Sequence, residues 1–140
     1  MRLIVHTDGG SLNNPGQAAY SFIIRNEHNK IIHQCAKKIG VATNNKAEYY
    51  GVIEALKYIK KTLPSIMSIK QVSFFSDSSL LVNQLNGLFK VKNGDIRGFI
   101  MQIHILEGEI NVPTTYAYVP REKNTRADSL VRAVLASSVF

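Results

Sequence analysis

The sequence contains no tryptophan, a single cysteine and, in 140 residues, only four aspartates: Asp8, Asp77, Asp95 and Asp128. The lone Cys35 excludes an internal disulfide framework and any multi-cysteine metal site, and it reads as a buried or half-buried strand residue. No apolar stretch approaches the ~20 residues that a bilayer-spanning helix needs. Only Leu3, Ile4 and Val5 precede the more polar His6, Thr7 and Asp8, too little for a signal peptide's apolar region. These absences predict a cytoplasmic protein that does not engage membranes. Repeats, low-complexity tracts and linkers are missing too, so residues 1–140 read as one domain. Negative charge is also in short supply: 17 Lys and Arg stand against 10 Asp and Glu, a net charge of +7. A small basic domain suggests a polyanionic partner, usually nucleic acid, with plain solubility as the alternative.

What is present is an ordered succession of strand and helix patterns. Residues 2–7 read as a short apolar strand closed by turn chemistry at Asp8-Gly9-Gly10. Asn13-Asn14-Pro15-Gly16 is a second turn signal. Residues 18–25 and 30–39 form two β-rich runs punctuated by Asn26-Glu27-His28-Asn29. Tyr49, Val52, Ile53, Leu56, Ile59 and Leu63 then recur at helical spacing. Asn45 with Glu48 has the form of a capping box, which predicts a helix from near Asn45 that stops at Pro64. Residues 72–76 read as a fourth strand and 78–88 as a helix, with a helical register continuing through Phe99, Ile100, Ile103 and Leu106. Residues 114–119 read as a fifth strand and 124–135 as a last helix. The order β-β-β-α-β-α-α-β-α predicts an α/β fold: a five-stranded mixed sheet, three antiparallel strands and then two parallel, flanked by helices. Ligands of such sheets gather beyond the carboxyl ends of parallel strands, where Asp8 and Asp77 fall.

Four acidic residues are unusually placed. Asp8 ends the first strand, Glu48 lies in the first turn of the first helix, Asp77 ends the fourth strand and Asp128 follows the fifth. Singly each has a plain explanation: turn chemistry for the strand-end aspartates, capping for Glu48, an i,i+4 ion pair with Arg132 for Asp128. Together they are harder to dismiss, because the topology carries four distant segments to one sheet edge. Clustered carboxylates repel, and some stay protonated unless a cation compensates. Hard divalent ions with oxygen ligands supply that compensation, and the absence of a Cys or His cluster disfavours zinc. Two Mg²⁺ ions held this way clamp both oxygens of a phosphodiester under in-line attack.

Thr7-Asp8-Gly9-Gly10-Ser11 with Asn14-Pro15-Gly16, Thr43-Asn44-Asn45-Lys46-Ala47-Glu48, Ser76-Asp77-Ser78 and Asn124-Thr125-Arg126-Ala127-Asp128 closely resemble, in order and approximate spacing, the motifs of ribonuclease H type 1. The resemblance covers Arg2 to about Leu135. It implies an endonuclease that hydrolyses the RNA strand of RNA–DNA hybrids with two Mg²⁺ ions, Mn²⁺ substituting, to leave 5′-phosphate and 3′-hydroxyl ends. Asp8 would bridge both ions, Asp128 would join it where water is activated, and Glu48 with Asp77 would hold the ion at the leaving oxygen. Glu48 would also touch a ribose 2′-hydroxyl, a contact that tells RNA from DNA. Gly9, Asn14, Thr43, Asn44, Asn45, Ser79, Lys90, Lys92 and Asn124 are the substrate-binding positions that the resemblance implies. A monomer without an obligatory protein partner fits the family.

Two departures stand out. Many bacterial members carry a catalytic His after the fifth strand; here Pro120-Arg121-Glu122-Lys123 fills a shorter loop, as in archaeal-type members, and Arg121 takes the place of that His. An arginine cannot shuttle protons at neutral pH, so its role would be electrostatic, with a solvated loop residue as the alternative. The basic protrusion of some bacterial members is also missing. Only Lys90 and Lys92 beside Phe89 remain there to meet a DNA backbone, unless they simply solvate a helix end. The rival functions are a hybrid-binding module with little turnover and a junction-cleaving or integrase-like nuclease; the complete Thr43–Glu48 block argues against the latter.

Overall fold

A computed structural model describes residues 1–62 and 68–137. The strands are β1 (Arg2–Ser11), β2 (Gly16–Arg25), β3 (Ile31–Ala42), β4 (Gln71–Ser76) and β5 (Thr114–Tyr118); the helices are α1 (Asn44–Thr62), α2 (Ser79–Leu85), α3 (Gly94–Ile110) and α4 (Thr125–Ala136). A 3₁₀ turn over Arg121–Lys123 leads into α4. The strands lie in the order β3-β2-β1-β4-β5, β1 antiparallel to β2 and β2 to β3, β1 parallel to β4 and β4 to β5. The expected mixed sheet is therefore the observed one. The expected stop of the first helix at Pro64, its last apolar position Leu63 and the tail beyond Ser137 lie outside the described residues.

Strand alternation divides the sheet into two faces. Leu3, Val5 and Thr7 of β1 are fully buried, and α1 packs on β1 and β2 with α3 against it. Tyr49, Val52, Ile53, Leu56 and Ile59 of α1 are all at most 2% exposed, so the helical spacing of these residues is the stripe that meets the sheet. On the opposite face α4 packs over β1, β2 and β3 and buries only Ala127 and Val131. Two buried hydrogen bonds dock it: Asn124 Nδ2 donates to the Thr7 carbonyl at 2.9 Å, and Ser21 Oγ donates to the Ala127 carbonyl at 2.7 Å.

Three local expectations are corrected. Asp8-Gly9-Gly10 does not end β1: the strand runs on to Ser11 because β2 offers partners to the end, from Asp8↔Ser21 to Ser11↔Ala18. A ladder of backbone hydrogen bonds outweighs local turn preference. The cap of α1 is Thr43, whose Oγ1 accepts the Lys46 N–H at 3.2 Å, so Asn45 is already inside the helix. Glu48 consequently lies past the first turn and is no capping partner. The second helix is shorter than its pattern, ending at Leu85, with Gly87 just beyond it at φ +74°.

Candidate active site

The parallel pairing of β1 with β4 ends at His6↔Phe75. Asp8 stands two residues past that point on β1, and Asp77 one residue past the end of β4, so both carboxylates emerge where the parallel ladder runs out. Glu48 joins them from α1. Its approach depends on Gly9, where a Cβ would overlap the backbone of Ala47 and Glu48. The helix start thus rests directly on the strand, and Asp8, Glu48 and Asp77 bring one oxygen each within 4.8 Å of one another. Asp128, on the first turn of α4, lines the same cleft of about 600 Å³, with Arg121 and Arg132.

The electrostatics of this cluster are those of a site short of positive charge. Asp8 is 6% exposed and Glu48 8% exposed. Burial, then Asp77 and Asp128, push the Asp8 carboxyl up to about 7. Burial first, then Asp8 and Asp77, hold Glu48 well above the usual carboxylate range; the Gly9 N–H opposes both shifts. Asp77 is also raised, by burial, against the pull of Arg121 and of a hydrogen bond from Asn124. The adjacent Asp8 adds to the upward push on the Glu48 carboxyl, and Glu48 Oε2 is buried with no partner. An all-oxygen donor set, three carboxylates converging and an orphaned buried oxygen together fit a hard divalent cation. The triad of Asp8, Glu48 and Asp77 could hold one.

The remaining expected positions fall into three groups. Asn14 and Asn44 build a lock at the head of α1: Asn14 Oδ1 accepts the Asn44 N–H at 3.0 Å, and Asn44 Oδ1 accepts the Ser11 N–H at 2.8 Å and its hydroxyl at 3.0 Å. Asn44 also lines the cleft, while Asn45 turns its Oδ1 into a buried position without a partner. Asn124 is 2% exposed and meets the cleft only through Asp77. Ser79, Lys90 and Lys92 are exposed and stand outside the cleft; Ser78, which caps α2, lines it instead. Arg121 is no free loop residue, for its Nε lies 3.8 Å from Asp77 Oδ2 although its side chain is 76% exposed. The plain alternative for Asp128 is real: Arg132 Nη2 lies 2.9 Å from its Oδ2, and Asp128 is still in the cleft. The cleft positions of Ser11, Ser78 and Arg132 were missed from sequence. Only the i,i+4 spacing from Asp128 pointed to Arg132.

Comparison with known proteins places these features in context. Residues 6–134 match the family model described as reverse transcriptase-like. The structure of LC11-RNase H1 in complex with an RNA/DNA hybrid is 32% identical with a TM-score of 0.90, and the match covers 99% of both chains. RNase H1 from the halophilic archaeon Halobacterium salinarum NRC-1 is 30% identical with a TM-score of 0.86, covering 96% of this chain and 98% of that one. The bifunctional protein Rv2228c of Mycobacterium tuberculosis is 34% identical over 131 residues, 93% of this chain but 34% of its own length. The chain therefore spans about a third of the length of such curated relatives.

Proposed function

Because the chain belongs to the type 1 ribonuclease H family, we propose that it is a metal-dependent endonuclease that hydrolyses the RNA strand of RNA–DNA hybrids and leaves 5′-phosphate and 3′-hydroxyl ends. The observation that carries this reading is the convergence of Asp8, Glu48 and Asp77 at the end of the parallel ladder, with Asp128 across the cleft. Two Mg²⁺ ions, with Mn²⁺ able to replace them, would supply a nucleophilic water of lowered pKa and neutralise the charge that develops on the leaving oxygen. Asp8 would be shared between them, Asp128 would serve the side of the attacking water, and Glu48 with Asp77 the side of the leaving group. Glu48, which lines the cleft with Asn44, would meet a ribose 2′-hydroxyl, which DNA lacks. The net charge of +7 draws the hybrid's phosphates towards the protein, and the local carboxylates then set where a cut is made. A monomer acting in the cytoplasm is part of the same reading.

The test is cleavage of a labelled hybrid with and without Mg²⁺ or Mn²⁺. Cuts confined to the RNA strand, dependent on metal and lost in Asp77→Asn, are expected. Equal cleavage by wild type and Asp77→Asn would sink the assignment, and binding without cleavage in either metal would leave a hybrid-binding module.

Arg121 is assigned an electrostatic role at the cleft mouth, binding phosphate and favouring the ionised form of Asp77. Its guanidinium is too exposed for a large contribution, and an exposed pair is worth up to about a fivefold effect. Arg121→Ala is expected to lower kcat/KM by about two- to fivefold, with the deficit larger at low pH and the melting temperature unchanged. Kinetics indistinguishable from wild type across the pH range would return Arg121 to a solvated residue.

A further inference from the structure

The cleft uses only the upper edge of the sheet, and among the described residues α4 covers β1, β2 and β3 on its face but does not extend over β4 and β5. Gln34, Ile23, His6, Phe75 and Ala117 stand in one register line across all five strands. Ile4, Ser73 and Thr115 continue the same face one pleat lower, beside Arg25. Ala117 and Thr115 are exposed, and His6, Phe75 and Ile4 are half-buried. The His6 and Phe75 rings are stacked, with centroids 5.4 Å apart and planes 25° from parallel. His6 Nδ1 is buried without a hydrogen-bond partner.

Positive charge surrounds this aromatic pair. His6, Arg25, Lys123 and Arg126 line a small pocket of about 90 Å³ beneath the start of α4. Arg2 enters from the lower side, its Nε donating to Ser73 Oγ at 3.1 Å. Arg126 donates to Gln34 Oε1 at 3.0 Å. Among the described residues, Arg2, Arg25, Lys123 and Arg126 make no ion pair within 4.0 Å. Burial and, after it, the neighbouring Arg126 guanidinium lower the pKa of Arg25, so the two cations lie close enough to repel. Like charges held side by side at a pocket repel, and an anion from outside relieves that repulsion.

We propose that this face is a second nucleic-acid surface, on which single-stranded RNA or DNA lies with a base against His6 and Phe75 and backbone phosphate among Arg25, Lys123 and Arg126. Bases of any sequence stack on aromatic rings, and basic side chains that follow the backbone supply the electrostatic half of such sites. The pocket borders the underside of the cleft wall through Asn124, which lines the pocket and is close enough to Asp77 to lower the pKa of its carboxyl. A strand leaving the cleft would therefore reach the platform around the start of α4. That continuation rests on the proposed hybrid cleavage, whereas the binding of a single strand by itself does not.

The full chain, held in EDTA so that nothing is cut, is titrated by fluorescence anisotropy against a short blunt hybrid, the same hybrid with a single-stranded tail at either end of its RNA strand, and the single strand alone. A tail at one end is expected to tighten binding by about tenfold. Arg25→Gln with Arg126→Gln should erase that gain and lower the salt slope by about 1.4, the share of two phosphate contacts to a single strand. Phe75→Leu should also erase it, and blunt-hybrid affinity should stay within about twofold in both variants. Lys57→Gln with Lys61→Gln removes the same charge from α1 and should leave the tail effect intact. A tail without effect in wild type, or a loss matched by the α1 variant, overturns the inference. Should the blunt hybrid fail to bind while the single strand binds and loses affinity in the Arg25 and Arg126 variant, the surface stands and hybrid cleavage falls.

Discussion

Asp8→Asn is expected to abolish cleavage and, in the absence of metal, to raise the melting temperature at pH 8. The two effects have one cause. Asp8 sits 6% exposed among Glu48, Asp77 and Asp128, and its carboxyl is pushed up to about 7 by burial and those neighbours. In the unfolded chain the same group releases its proton near 3.8. Between those values the folded state holds more protons than the unfolded one, so the contribution to stability is full below about pH 4 and is lost as pH rises towards 7. The cost at pH 8 is on the order of 2–4 kcal/mol, from about three pKa units at 1.36 kcal/mol each with allowance for the neighbouring Glu48 carboxyl, which is raised as well. The neutral amide of Asp8→Asn leaves no charge to bury and should recover most of it, while removing the carboxylate that in the proposed reading serves both ions should cost about 10³-fold or more in rate. Thermal melts in EDTA from pH 4 to 8 check the first half: the wild-type curve should fall more steeply than that of the variant, and added Mg²⁺ should lift wild type most at high pH. A variant less stable than wild type at pH 8 would contradict the electrostatic account.

The second large effect concerns two glycines that look alike in the sequence. At Gly9 a Cβ would overlap the Ala47 and Glu48 backbone, atoms that cannot turn aside. At Gly10 the first neighbour of a Cβ is Val131 Cγ1 at 3.7 Å, an ordinary contact. Gly9→Ala must therefore push the head of α1 off the strand, costing about 3 kcal/mol and withdrawing Glu48 from Asp8 and Asp77. Gly10→Ala should change stability by less than about 1 kcal/mol. Urea denaturation of both variants, with cleavage measured on the folded fraction, decides the matter. Equal penalties at the two positions would mean that the contact of strand and helix is not what sets the site.

The order of elements and the four carboxylates were readable because each has a local signature: hydrophobic period, turn residues, an acid at the end of a strand pattern. What was not readable depended on partners from elsewhere in the chain. β1 runs through its two glycines because β2 is there to pair with it, and no property of residues 8–11 alone announces that. Asn45 and Glu48 have the spacing of a capping box, yet Thr43 is the cap, and the difference lies in where the chain leaves β3. Asn124 looked like a surface contact and is a buried tie to Thr7, 117 residues away. Arg121 could be placed in a loop but not beside Asp77, since that proximity arises only where β4 and β5 pair.

The thin attachment of α4 divides the proposed catalytic set along a line of local stability. Asp8 and Glu48 belong to a strand and a helix whose buried side chains form the main core, and Asp77 directly follows β4 of the same core, but Asp128 and Arg132 ride on a helix that buries Ala127 and Val131 and is tied down by two buried polar bonds. Segments with few buried contacts open at lower free energy than the whole fold. Partial opening of α4 would withdraw one carboxylate and one guanidinium while three carboxylates keep their places, so the site can pass between complete and incomplete forms without the sheet coming apart.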